Sequence, residues 1–104
     1  MEAANTHFVT TRVILLEIGN ALSRLRHRAA AISLLTAVEN DPKVEVVPLS
    51  DDLYRRALEI YRDHVDKEWG LIDCVSFVVM KDEGLIEALT ADHHFHQAGF
   101  RILL

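Results

Sequence analysis

Residues 90–96 read TADHHFH, placing one aspartate and three histidines in seven positions directly after the apolar run Leu85, Ile86, Ala88 and Leu89. These side chains are metal ligands by type. His93 and His96 stand three apart, a spacing that brings two imidazoles to one ion, and Asp92 or His94 could add a third ligand of a zinc set. A turn or helix is expected to point the adjacent His93 and His94 in different directions, and no other Cys or His has an obvious completing spacing. A zinc site built from this segment alone is therefore not favoured. The histidines read as surface groups or as neighbours of a ligand, and Asp92 as either a ligand or an Asx-turn residue after a strand.

Two further acids stand out by position. Glu17 has Val13, Ile14 and Ala21 as its i−4, i−3 and i+4 neighbours on a helix, so its carboxylate is expected to share an apolar face. A carboxylate placed there must be paired, hydrogen-bonded, protonated or metal-bound. Arg24 or Asn20 could satisfy it at the edge of the face. Asp73 has an ordinary explanation as the cap of a helix that follows GLID. Singly, each of the three acids has a structural role that explains it.

The elements that would position these residues follow from periodicity and punctuation. HFVTT (7–11) leans to a strand and leads into a helical pattern through Val13, Ile14, Leu16, Leu22 and Leu25, with Thr10 or Thr11 as cap. AAAISLLTAV (29–38) continues as helix until Asn40, Asp41 and Pro42 stop it. VEVVPL (44–49) is a strand, and Ser50 caps a helix running to about Asp63, with Asp51 and Asp52 in its first turn suiting the helix dipole. After DKEWG, Asp73 opens a helix that Gly84 ends, LIEALTA (85–91) is a strand, 92–99 a short turn or helical piece, and FRILL (100–104) a last strand. Strands separated by helices point to an α/β fold with a mostly parallel sheet. In such sheets ligands bind beyond the carboxyl ends of the strands, which is where Asp92 falls.

Bulk properties narrow the function classes. A chain of 104 residues, half of them hydrophobic, reads as one domain over residues 1–104. Its net charge of −5 excludes a protein that holds nucleic acid mainly by blanket phosphate neutralisation, so any nucleic-acid site must be local or metal-assisted. The single cysteine, Cys74, allows no intramolecular disulfide and reads as a small buried hydrophobe. No secretory leader and no run approaching about 20 apolar residues is seen, so a cytoplasmic location is expected and no membrane.

Taken together, VTTRVILLEIGNAL (9–22), WGLIDCVSFVVMKDEGL (69–85) and EALTADHHFHQAGFRILL (87–104) resemble the PIN domain family, whose best-known bacterial members are VapC-type toxins. The resemblance runs from about His7 to Leu104 and implies a three-layer α/β/α fold. In that family, acidic side chains from separate elements bind Mg²⁺ or Mn²⁺ for cleavage of RNA. By position, Glu17, Asp73 and Asp92 match those acids, which would make them the catalytic metal ligands. Magnesium is a hard cation that takes oxygen ligands, and its charge inverts the field of the acids that would otherwise repel RNA. Asn20 and Ser76 are candidates to support the ligands, and Arg24, Arg26 and Arg28 to meet phosphate, against plain solvent-facing roles for each.

The resemblance also implies an N-terminal strand ending in an aspartate, ahead of the matching part, that MEAANT does not provide. The sheet is accordingly expected to lack its first strand. Unpaired backbone edges favour association, so a homodimer is expected. An antitoxin protein is the other partner the resemblance implies. A non-catalytic interaction module with an incomplete metal site is the competing reading of function.

Overall fold

In a computed structural model, which describes residues 7–90 and 92–102, the chain divides into two compact units, one reaching Leu49 and the other beginning at Ser50. The sequence reads as one domain because no linker composition marks this division. Each unit contains helices and one pair of parallel strands, so the α/β class read from the sequence is the class observed.

In the first unit, β1 (Phe8–Thr11) lies parallel to β2 (Val44–Val47), in a register that sets Phe8 beside Val44 and Thr11 beside Val47. Helix α1 (Arg12–Ala21) starts where Thr11, itself buried, turns its Oγ1 to accept from the Ile14 amide at 3.2 Å. The helical pattern expected to run on breaks at residues 22–24, and α2 (Leu25–Asn40) begins afresh with Arg24 at its cap. Ser23 makes the corner: its hydroxyl donates to the Gly19 and Asn20 carbonyls, and its own carbonyl accepts from the Arg28 guanidinium. Arg12 pairs with Glu39 and joins the start of α1 to the end of α2.

The second unit is built round α4 (Leu71–Asp82), in which Cys74, Val75, Phe77, Val78, Val79 and Met80 are all buried. Three valines are indifferent helix formers, so it is burial on several sides that holds this segment helical. Helix α3 (Asp51–Asp63), capped by Ser50 Oγ at 3.0 Å from the Leu53 amide, packs on it through Leu53 and Ala57. A two-bond contact from Arg56 to Asp82, at 2.7 and 2.6 Å, clips the two helices together and holds the Asp82 carboxyl below its usual range.

Both remaining connections use one device. Gly84 (φ 69°) and Gly99 (φ 96°) occupy the left-handed position after α4 and after α5 (His93–Gln97). In each case two amides turn back onto the helix: Gly84 to Lys81 and Leu85 to Met80, Gly99 to His96 and Phe100 to Phe95. These are paired Schellman closures, available to glycine without the Cβ penalty. They aim the chain into β3 (Glu87–Ala88) and β4 (Arg101–Ile102), which pair in parallel.

Among the described residues the strands form two two-stranded sheets, β1 with β2 and β3 with β4. The last two strands are shorter than the apolar runs suggest, because parallel pairing spans only Glu87 with Arg101 and Ala88 with Ile102. Ala91 and residues 103–104 of those expected strands, and the segment before His7, lie outside the described residues.

An aromatic cluster fills the second unit. The Phe77 ring meets Trp69 at 5.1 Å and Phe95 at 4.9 Å, both edge-on, and Phe100 at 5.7 Å. Trp69 also stacks obliquely on His64 and donates its indole N–H to Gln97 Oε1 at 3.0 Å. Phe77 is 1% exposed, so Phe77→Ala would open a cavity at the meeting point of all these rings. Urea denaturation is expected to show a loss of about 3–5 kcal/mol for that variant.

Candidate active site

Asp73 and Asp92 both sit at helix starts, for different local reasons. Gly70 caps α4, and Asp73, in the first turn, sends Oδ2 back to accept from the Gly70 amide at 3.0 Å. This corrects the expectation that Asp73 is itself the cap. The helix begins earlier because Leu71 and Ile72 can take helical geometry once glycine supplies the extended residue ahead of them. Asp92 is the cap of α5: its Oδ1 accepts from the His94 amide at 2.9 Å, while its own amide donates to Thr90 Oγ1 at 3.1 Å. Its Asx-type role is therefore real and coexists with any other.

Those two local arrangements converge on one imidazole. His94 Nδ1 lies 3.4 Å from Asp73 Oδ2 and 3.3 Å from Asp92 Oδ1. It is shielded from solvent and makes no hydrogen bond in spite of these distances, since the geometry is not that of a donor aimed at an acceptor. Asp73 Oδ1 and Asp92 Oδ2 have no hydrogen bond among the described residues, so each carboxylate has one oxygen engaged and one open. The Asp73 side chain is 23% exposed and that of Asp92 39%, enough for a ligand to reach both from solvent.

His93 overturns a second expectation. Its ring lies 4.5 Å from that of His94, centroid to centroid, and Asp92, His93 and His94 each offer a donor atom within 4.8 Å of the other two. His96 stands outside this group.

Glu17 is placed differently from its sequence reading. It is exposed on α1, because the buried stripe of that helix runs through Leu15, with Ile18 and Gly19 half-buried, one position round from Glu17. Neither Arg24 nor Asn20 bonds to it, and among the described residues it has no ion pair. Asn20 is exposed as well, and Ser76 is half-buried on α4 without a hydrogen bond to Asp73. Of the three arginines, all exposed, Arg28 is engaged with the Ser23 carbonyl and Arg26 donates to His27 Nε2 at 3.2 Å. The residues missed in the sequence are Gly70 and Thr90, which orient the two acids, and the central place of His94. The capping signatures G-x-x-D before an apolar run and T-x-D after one were available signals for the first two.

Comparison with known proteins agrees with this architecture. A family model described as the PIN domain matches residues 1–101. A curated relative, the 23S rRNA-specific endonuclease VapC20 of Mycobacterium tuberculosis, is 34% identical over 77 residues, covering 74% of this chain and 57% of the relative. The same protein from a second strain matches equally. The chain thus spans little more than half the length of those relatives. Among solved structures, the crystal structure of M. tuberculosis VapC20, described as a toxin that cleaves the sarcin–ricin loop, superposes with a TM-score of 0.82 at 30% identity, over 90% of this chain and 72% of that one.

Because Asp92 caps α5, the side chain has a structural contribution separable from any ligand. Asp92→Asn retains a good cap and is expected to leave the urea midpoint nearly unchanged, whereas Asp92→Ala should lose about 1 kcal/mol.

Proposed function

The chain belongs to the PIN domain family, and on that premise we propose that it is a metal-dependent endoribonuclease of the VapC toxin type. The observation that carries this reading is the convergence of Asp73 and Asp92, from the starts of two different helices, on the buried His94 nitrogen. Two carboxylates with open oxygens beside an unpartnered ring nitrogen suit a divalent cation by donor chemistry. Mg²⁺ or Mn²⁺ is the ion proposed, with Asp73, Asp92 and Glu17 as its carboxylate ligands. When bound, it supplies positive charge against the phosphate and leaving oxygen and lowers the pKa of water.

The chain's own residues do the positioning. The Gly70 and His94 amides fix one oxygen of each aspartate, so little side-chain freedom remains to be lost when a ligand arrives. Asn20 and Ser76 are proposed to support the carboxylates, and the exposed Arg24, Arg26 and Arg28 to take backbone phosphates of the RNA. A structured ribosomal RNA, the substrate class named for VapC20, is the first substrate to assay. The reading extends to an antitoxin protein as partner and to a cytoplasmic location. A single buried, reduced Cys74, whose thiol burial pushes up, and described helices none of which is long and apolar enough to cross a membrane are in keeping with that location.

The test is cleavage of ribosomal RNA by the purified chain with Mg²⁺ or Mn²⁺. Asp73→Asn and Asp92→Asn are each expected to lower the rate about a hundredfold or more with the circular dichroism spectrum retained. Unchanged cleavage in both would overturn the proposal and leave the non-catalytic interaction module. A homodimer is part of the same reading, supported by the exposure of Leu16 (67%), Leu25 (89%) and Ile32 (60%) on α1 and α2. Light scattering at micromolar concentration should return the mass of two chains, and monomer alone would remove the dimer.

A further inference from the structure

Apart from the aspartates, the second unit has a cleft of about 270 Å³, walled by the end of α3, the loop before α4, the later part of α4 and the end of α5. Neither Asp73 nor Asp92 lines it. The volume is just below the usual range for a drug-sized ligand, which leaves room for one flat group and none for a helix. Its charge runs against that of the chain. In a protein of net charge −5 the cleft is lined by Lys67, Lys81 and His64 and by no acid. Lys67 pairs with its exposed neighbour Asp66 at 3.1 Å, a contact that contributes little in water and yields to a better anion. Lys81 is exposed and has no ion pair among the described residues.

The other lining groups are flat or carry defined hydrogen-bonding atoms. Trp69, His64 and Phe77 supply aromatic surface. His64 Nδ1 lies 2.9 Å from the Ile60 carbonyl, which requires the proton on that nitrogen and leaves Nε2 of the neutral ring as an acceptor. Gln97 Oε1 accepts the Trp69 indole N–H at 3.0 Å, so the Gln97 amide nitrogen presents its two N–H groups as donors. Aromatic walls with a donor and an acceptor suit the face and edge of a nucleobase, and the lysines suit a phosphate. An aliphatic acid would use the lysines and leave the rest of this set idle.

We propose that the cleft binds one unpaired nucleotide of an RNA strand, its base against the aromatic wall and its phosphate on Lys81, with Lys67 as the second cation. The inference rests on the ribonuclease reading for the source of the nucleotide and deepens it by giving the RNA a second point of attachment. Lys81 stands two turns beyond Asp73 on α4, about 12 Å along the helix axis, within reach of the next nucleotides of a strand held at the acids. A pocket of this size admits a base only when it is unstacked, so the site selects single-stranded or looped RNA.

Trp69 is the only tryptophan of the chain, and its emission therefore reports on the cleft. The full chain is titrated in EDTA with the four ribonucleoside 5′-monophosphates, the matching nucleosides, inorganic phosphate and single-stranded RNA hexamers of each base, with correction for absorbed light. At least one monophosphate should change the emission saturably, its nucleoside and inorganic phosphate should bind at least tenfold more weakly, and its hexamer at least tenfold more tightly. Lys81→Met should weaken the hexamer at least fivefold. Arg62→Met, which removes the same charge from the far side of α3, should change it less than twofold. No saturable change with any probe, equal losses in the two variants, or a hexamer no tighter than its monophosphate would overturn the inference. RNA cleavage in Mg²⁺ separates it from the reading it rests on, since Lys81→Met should raise KM and keep kcat. Cleavage with KM unmoved and no emission change removes the cleft alone, and hexamer binding without cleavage in any metal removes the ribonuclease reading alone.

Discussion

The packing of Phe95 and Phe100 against Phe77 is the contact on which the candidate site depends. Helix α5 has five residues, far too few to persist by its own hydrogen bonds. It stays in place because Phe95 lies edge-on to Phe77 at 4.9 Å and because Gln97 accepts the Trp69 indole N–H. Phe77 in turn belongs to α4, the most buried helix of the unit. The chain of contacts thus runs from the buried face of α4, through one aromatic ring, to the short helix that carries Asp92 and His94. Asp73 lies one turn before Phe77 on that same helix, so its separation from His94 is set by the same packing.

Polar groups are disposed with equal economy. Two aspartates so near one another would repel if left bare, and each is instead given an amide: Gly70 for Asp73, His94 for Asp92. The same bonds restrict the carboxylates to one orientation, which leaves a defined oxygen of each open and sets the other against His94 Nδ1. Capping and ligation are usually presented as rival explanations of an aspartate at a helix start. Here the helix-start hydrogen bond is what points the carboxylate.

Much of the local structure was legible beforehand. Thr11 and Ser50 cap the helices assigned to them, the second helix ends at Asn40, and Gly84 takes the left-handed position past α4. Parallel pairing and the α/β class also emerge as read. The break at residues 22–24 was not visible, because Leu22 and Leu25 keep the helical spacing straight through a corner that Ser23 and Arg28 make with main-chain bonds. Glu17 was read onto an apolar face because Val13, Ile14 and Ala21 surround it. Its exposure depends on which side of α1 meets its neighbours, and periodicity alone leaves that open by one position.

By itself, then, the sequence determined the extents and ends of most helices, the acids at two of their starts and the family to which the chain belongs. Caps, glycine closures and apolar periodicity act over three or four residues, so their physics is contained in a short stretch of chain. Only the tertiary structure decided that Asp73 and Asp92 meet at one nitrogen, that His94 lies between them, and that Glu17 faces solvent. Those facts hang on an aromatic contact between Phe77 and Phe95 and on the choice of a buried helix face, and both are settled by packing between elements distant in the chain.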